Sequence, residues 1–307
     1  MYLTKYSSSI FLVLLIFSQC VLCAQANEKF VLKQYEFLYQ EFFFSGDVNG
    51  AEMFVENLSD RRLKEIYKGV ILWEVGDVQG LCEAEFSDEF HEFFLRLCHK
   101  LKGGFHEDFK GLDEDSIFYK DGLRQSLYGL TYDEAVSSSS FRNLPEHLKV
   151  NVIFESYDMS LVYKYCSNLN LDSMECEIAK YIEEGTASFD SLPYRSRVEA
   201  LFYLFSEYSL DFSVASNVVG LKYCNYRYYE CNALKASIGI ALGDTEVFEE
   251  GLSAMKDMTY LNDDEYWLRL KMAISICDYE MYSEYLGLLD SSQVLKEGLS
   301  FSDSCSG

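Results

Sequence analysis

The chain has 307 residues, with 26 Lys+Arg against 50 Asp+Glu and a formal net charge of −24. A field of that sign repels phosphate backbones and anionic headgroups, so nucleic-acid binding and peripheral membrane binding are excluded as expected roles. Only two prolines, Pro145 and Pro193, and an apolar content of 49% favour helices around a sizeable core, in one large or two modest domains.

The chain opens with the pattern of a secretory signal, expected over 1–26. Lys5 is the one charged side chain before Glu28. Ser7-Ser8-Ser9 precedes an unbroken apolar run, Ile10 to Phe17. Ser18-Gln19 follows, and Ala24-Gln25-Ala26 supplies the small residues of a cleavage site. Cleavage after Ala26 leaves a mature charge of −25, because only Lys5 among charged residues departs. As a helix the run spans about 12 Å, short of the roughly 30 Å hydrocarbon core, so a membrane anchor is disfavoured. Acylation at Cys20 or Cys23 is disfavoured by the residues before them, Phe17-Ser18-Gln19 and Cys20-Val21-Leu22. An exported chain, periplasmic or extracellular, with no membrane association after cleavage is the expectation.

From residue 27 onward a local pattern recurs. An apolar helix end meets Gly-Asp, and a second amphipathic stretch follows. It appears at Gly46-Asp47, Gly76-Asp77 and Gly243-Asp244, and without the glycine at Cys277-Asp278. Looser copies are Glu107-Asp108 and Leu210-Asp211. The aspartates fall 30, 31, 33 and 34 residues apart within the two halves of the chain. Glycine ends a helix by accepting the left-handed conformation, and aspartate caps the next helix through its carboxylate. Val48, Ala51, Phe54, Val55 and Leu58 then fall at helical spacing, as do Val247, Phe248, Leu252 and Met255. Each hairpin leaves an apolar face for a neighbour to cover.

This period and turn resemble the tetratricopeptide repeat and its exported, disulfide-bridged relatives. Tyr39 to Leu58 carries the resemblance best, with Gly46-Asp47 at the turn and Ala51 at the small position of the second helix. Tyr67 to Asp77 carries two glycines seven apart. Leu81 and Phe248 replace the small residue in other copies, and the closing proline is missing. The resemblance covers about half the chain. It implies an all-α fold of stacked antiparallel helical hairpins, an α-solenoid over 27–290. Ser137 to Ser140 and Asn143-Leu144-Pro145 read as a loop, giving a break near 137–148. Residues 291–307 read as a serine-rich tail. Lys149 to Phe154 is the one β-like run, and it fits a buried helix equally well.

Eight cysteines remain after cleavage, an even number that points to disulfides in an exported chain. Cys166 and Cys176 lie equally far from Leu171, in a turn expected over Asn168 to Asp172, so their sulfurs can sit level on antiparallel helices. Cys224 and Cys231 resemble the short-spaced pair that joins consecutive helices in the bridged repeat relatives. That pairing requires a turn, since on one helix they would lie about 10.5 Å apart, beyond the roughly 7 Å limit. Cys82 with Cys98, and Cys277 with Cys305, follow by elimination.

Candidate chemistry is sparse. His91-Glu92 begins a zinc-protease motif that fails at Leu95, and His91, Cys98, His99 and His106 lack zinc-site spacing. Glu155-Ser156 matches the catalytic pair of exported lytic transglycosylases over two residues only. Asp113-Glu114-Asp115 and Asn262-Asp263-Asp264-Glu265 lack the order of a calcium loop, and Asp263 or Asp264 is expected to cap a helix. There is no phosphate-cradling glycine loop or nucleophile elbow, so no cofactor and no catalytic or metal residue is expected. Aromatics cluster at Tyr223, Tyr226, Tyr228 and Tyr229, at Phe42-Phe43-Phe44 and at Phe93-Phe94. The expected function is a non-enzymatic scaffold binding a protein or peptide of basic character. The alternative is an exported hydrolase, or its helical accessory part, acting on cell-wall polymer. Asn57-Leu58-Ser59 is a glycosylation sequon for a eukaryotic secretory route.

Overall fold

The computed structural model describes residues 27–102, 112–127, 130–154, 158–171, 173–184, 193–198, 201, 224–261, 263–289, 294 and 299–305. These residues are α-helical, with one short 3-10 turn and no strand among them. The expected signal peptide, the turns at Glu107-Asp108 and Leu210-Asp211, His106, Glu155-Ser156 and Tyr223 lie outside the described residues. The chain divides into two units. The first holds residues up to Phe43, Asn49–Ile71 and Cys82–Gly185; the second holds Phe44–Val48, Leu72–Leu81 and Thr186 onward.

Along the chain, helix α1 (27–41) is followed by α2 (Val48–Glu56), α3 (Arg61–Val75), α4 (Val78–Glu83) and α5 (Asp88–Leu101); Leu72–Leu81, the end of α3 and most of α4, belong to the second unit and most of the rest to the first. A 3-10 turn, Phe43–Ser45, lies between α1 and α2. Val31 and Leu38, Ile66 and Val70, and Phe90, Phe94 and Leu97 are fully buried, each set at one-turn or two-turn spacing on its own helix. Gly69 on α3 lets Phe94 of α5 approach: a Cβ there would stand 2.5 Å from the Phe94 ring. Phe86 stacks on that ring at 4.2 Å between centroids and also borders Gly69. Asn27 donates to the Glu89 carbonyl at 2.9 Å, and the Glu28 carboxylate accepts from Ile117 N–H at 2.8 Å and from Ser116 Oγ. Glu28 thereby satisfies a donor at the start of α6 (Ile117–Gln125).

The expected loop is mostly helical: Ser137, Ser139, Ser140 and Asn143 lie in helices, while Ser138, Leu144 and Pro145 stay outside them. Helix α7 (Tyr132–Ser137) opens on a capping box between Thr131 and Glu134, and Ser138 caps α8 (Ser139–Asn143) by accepting from Phe141 N–H at 3.0 Å. Burial of Phe141 and Leu144 supplies the packing that composition alone did not reveal. Residues 137–148 fall within the first unit. Helix α9 (Glu146–Phe154) resolves the ambiguous run, because Val150 and Ile153, one turn apart, are fully buried. Helices α10 (Met159–Leu169) and α11 (Met174–Glu184) form a hairpin. Its turn is tighter than expected: α10 continues to Leu169, and Asn170 takes the left-handed conformation with φ 50°. Leu171 N–H then bonds the Cys166 carbonyl at 3.2 Å, closing a Schellman turn.

The second unit contains a helical stretch at 194–198, then α12 (Tyr229–Leu242), α13 (Thr245–Met258), α14 (Asp263–Ser275), α15 (Tyr279–Leu286) and α16 (Phe301–Cys305). Three turns here share one hydrogen-bond pattern. Asp77 N–H bonds Leu72 O, Asp244 N–H bonds Gly239 O, and Asp278 N–H bonds Ala273 O, each at 2.9 Å. The preceding residues, Gly76, Gly243 and Cys277, all have positive φ, between 54° and 74°. In each case the aspartate carboxylate then accepts from the next helix, at Gly80, at Glu246 and Val247, and at Met281. Helices α12 and α13 touch backbone to backbone: a Cβ on Gly239 would meet Phe248 N at 2.4 Å, and one on Gly251 would meet Ala236 N at 2.6 Å. Ala236, Phe248, Leu252, Met255, Leu261 and Met272 form one buried cluster spanning α12, α13 and α14. The tail includes structure of its own, since α16 packs Phe301 against Tyr279 and Tyr282.

Candidate functional site

Four cysteine pairs are bonded. Cys82 joins Cys98, Cys166 joins Cys176, Cys224 joins Cys231 and Cys277 joins Cys305, with Cα separations of 5.3, 5.6, 5.5 and 5.5 Å. Between Cys224 and Cys231 the required turn is present, closed by Tyr228 N–H on the Asn225 carbonyl at 2.9 Å. Cys98 therefore belongs to a disulfide and is buried, while His91 and His99 on the same helix are exposed. Among the described residues no group of three His, Cys, Asp or Glu is placed to hold a metal ion. Asp263 and Asp264 lie inside the first turn of α14 rather than before it, where their charge suits the helix N-terminus.

The tyrosine-rich turn at 224–231 anchors a buried cluster within the second unit. Tyr194 lies over Gly46, where a Cβ would stand 2.5 Å from its ring. Its hydroxyl accepts from Asn225 N–H at 2.5 Å and donates toward Cys231 Sγ at 3.0 Å. Asn225 Nδ2 donates in turn to the Gly46 carbonyl. Tyr229 packs on Gly76 in the same way, its Cβ 2.8 Å from where a glycine Cβ would be. Glu74, only 1% exposed, pairs with Arg195 at 3.8 Å, and Arg195 also reaches Glu230 at 3.1 Å. Burial pushes the Tyr194 hydroxyl up to about 12, and burial followed by the Glu74 charge pushes Tyr228 up as well. These hydroxyls stay neutral at ordinary pH. The cluster ties segments together, and no reacting pair of groups emerges from it.

The outward face of α13 is a different surface. Thr245, Glu246, Glu249, Glu250, Ser253, Ala254 and Asp257 line an open, shallow concavity. The small residues lower its floor and the acids line it. The neighbouring cations are already engaged: Lys235 pairs with Glu250 and sits 4.5 Å over the Tyr226 ring, and Lys256 pairs with Glu265 at 2.9 Å. Arg269 makes a two-toothed bond to Glu249, at 2.5 and 3.2 Å, and a third to Glu265 at 3.0 Å. Burial disfavours the Glu265 carboxylate, but bonds from Lys256 and Arg269 outweigh it and hold its pKa below the usual range. The face offers acceptors and negative charge. It suits an ammonium or guanidinium group.

Sequence reasoning identified the apolar face of α13 and passed over its acids, although Glu246, Glu249, Glu250 and Asp257 carry the helical spacing that would have located them. Arg195 lacked any local signal. Among the described residues, no helix is long and apolar enough to cross a membrane. No family model, curated protein or solved structure matches the chain.

Proposed function

We propose that this is an exported, non-enzymatic binding protein built from tetratricopeptide-like hairpins, and that its ligand is a basic protein or peptide. The acidic concavity on α13 carries this reading. It combines an indented surface with acceptor groups, and the pairs that take up Glu249 and Glu250 do not include Glu246 and Asp257. The stacking of α12, α13 and α14 through one core, with like turns at Asp244 and Asp278 spaced 34 residues apart, supports a repeat arrangement. Four disulfides support an oxidising compartment. Asn27 and Glu28, the first residues after the expected cleavage point, are both hydrogen-bonded within the first unit, which supports a mature chain starting there.

The test is recovery of the exported protein from its native compartment at low salt. N-terminal sequencing is expected to begin at Asn27 or within a few residues, and a basic partner is expected to elute as salt rises, because screening shortens the attraction. A cytosolic chain retaining Met1 contradicts export. A partner that resists salt and binds the Glu246→Gln/Asp257→Asn variant equally well contradicts the α13 site.

A further inference from the structure

We infer that Asn57 is an N-glycosylation site whose glycan covers the exposed Met53 side chain near the end of α2. The inference rests on the export reading. The chain contains one Asn-x-Ser/Thr triplet, Asn57-Leu58-Ser59. Its placement is what gives that triplet weight. Helix α2 ends at Glu56, and residues 57–60 form the open connection to α3, with Asn57 and Ser59 both exposed. Asp60 begins the next helix by accepting from Arg62 N–H and Leu63 N–H, while Asn57 N–H and Leu58 N–H close the last turn of α2 on the Met53 and Val55 carbonyls, so the Asn57 side chain stands at the helix end. The acceptor amide is held: Asn57 Nδ2 donates to the Met53 carbonyl at 2.8 Å.

Met53 supplies the second observation. It is 65% exposed, a large apolar side chain left in water one helical turn before Asn57. Residues four apart lie on one helix face, so the first sugar on Asn57 would stand over Met53. The C–H face of a hexose ring against a thioether removes apolar surface from water that the fold leaves uncovered. In the transfer, Asn57 Nδ2 bonds to the anomeric carbon of an N-acetylhexosamine carried on a polyprenyl pyrophosphate. The C–O bond to the pyrophosphate breaks and the electron pair leaves with it. One amide proton is lost to base. The substituted amide keeps one N–H.

The experiment expresses the full-length chain through a eukaryotic secretory route and weighs the secreted protein before and after peptide-N-glycosidase. The expected result is the mass of one glycan, removed by the enzyme with conversion of Asn57 to aspartate. It is absent in Asn57→Gln and in Ser59→Ala, the latter keeping the Asn57 amide. Both variants are expected to retain the wild-type helical spectrum. Peroxide should oxidise Met53 several-fold faster in Ser59→Ala than in the wild type. Secretion of an unglycosylated wild type overturns the site and leaves export standing. Equal Met53 oxidation overturns the covering role. A chain retained in the cell with Met1 intact overturns both the site and the export reading.

Discussion

Gly239→Ala tests the contact between α12 and α13. In an isolated helix this change gains about 1 kcal/mol, because glycine is the poorer helix former. Here the added Cβ would stand 2.4 Å from Phe248 N and 2.6 Å from Phe248 Cα. Both atoms are backbone, so no rotamer change relieves the clash and the helices must separate. Separation loosens the cluster of Ala236, Phe248, Leu252 and Met272, all fully buried. Overpacking of this kind costs about 3 kcal/mol at the upper end of its usual range. The net loss is about 2 kcal/mol, a fall in Tm of roughly 4–8 °C. Thermal melts followed at 222 nm, with Ser253→Ala on the exposed face as a near-neutral control, read this directly. A Gly239→Ala protein as stable as the wild type, or more so, would refute the backbone-to-backbone approach.

Other perturbations follow from the same geometry. Arg195→Met should destabilise by about 3 kcal/mol, because Glu74 keeps its charge in a buried place after losing a partner, and adding Glu74→Gln should recover part of that loss. Cys277 occupies a left-handed position filled by glycine in two like turns, and its disulfide closes a 28-residue separation. Cys305→Ser should therefore cost about 3.5 kcal/mol, and Cys277→Gly/Cys305→Ser about 1 kcal/mol less, as compared by urea midpoints. The Glu265 carboxylate has a folded pKa below its unfolded 4.5, so its contribution is present above pH 4.5 and lost as pH falls through the folded value. Glu265→Gln should flatten that part of the acid stability curve.

What was legible in the sequence was local chemistry. Gly76-Asp77 and Gly243-Asp244 announce a helix end and a helix start because each residue meets its own backbone requirement within six residues. Cys277-Asp278 works the same way without glycine, and Asn170 ends α10 by the same left-handed conformation. The serine run misled because serine serves as both a turn residue and a helix cap, and only the burial of Phe141 and Leu144 decides between them. The contacts of Tyr194 with Gly46 and of Tyr229 with Gly76 join residues about 150 positions apart, and no spacing rule reaches that far. The acidic site lies between these cases. Its residues stand in one helical stripe, but which of its acids are taken up, Glu250 by Lys235 and Glu249 by Arg269 and not Glu246 or Asp257, depends on three helices.

Titration of a fluorescent twelve-residue Lys/Arg peptide against the mature, disulfide-bonded chain tests the binding claim most directly. Glu246→Gln/Asp257→Asn removes two charges from the α13 concavity, and Glu36→Gln/Glu41→Gln removes two exposed charges from α1. At roughly 0.7 kcal/mol per charge, the first pair should weaken binding about tenfold and reduce its salt dependence, while the second changes it less than twofold. Equal losses from the two pairs, or no loss from the first, would contradict a binding site on α13.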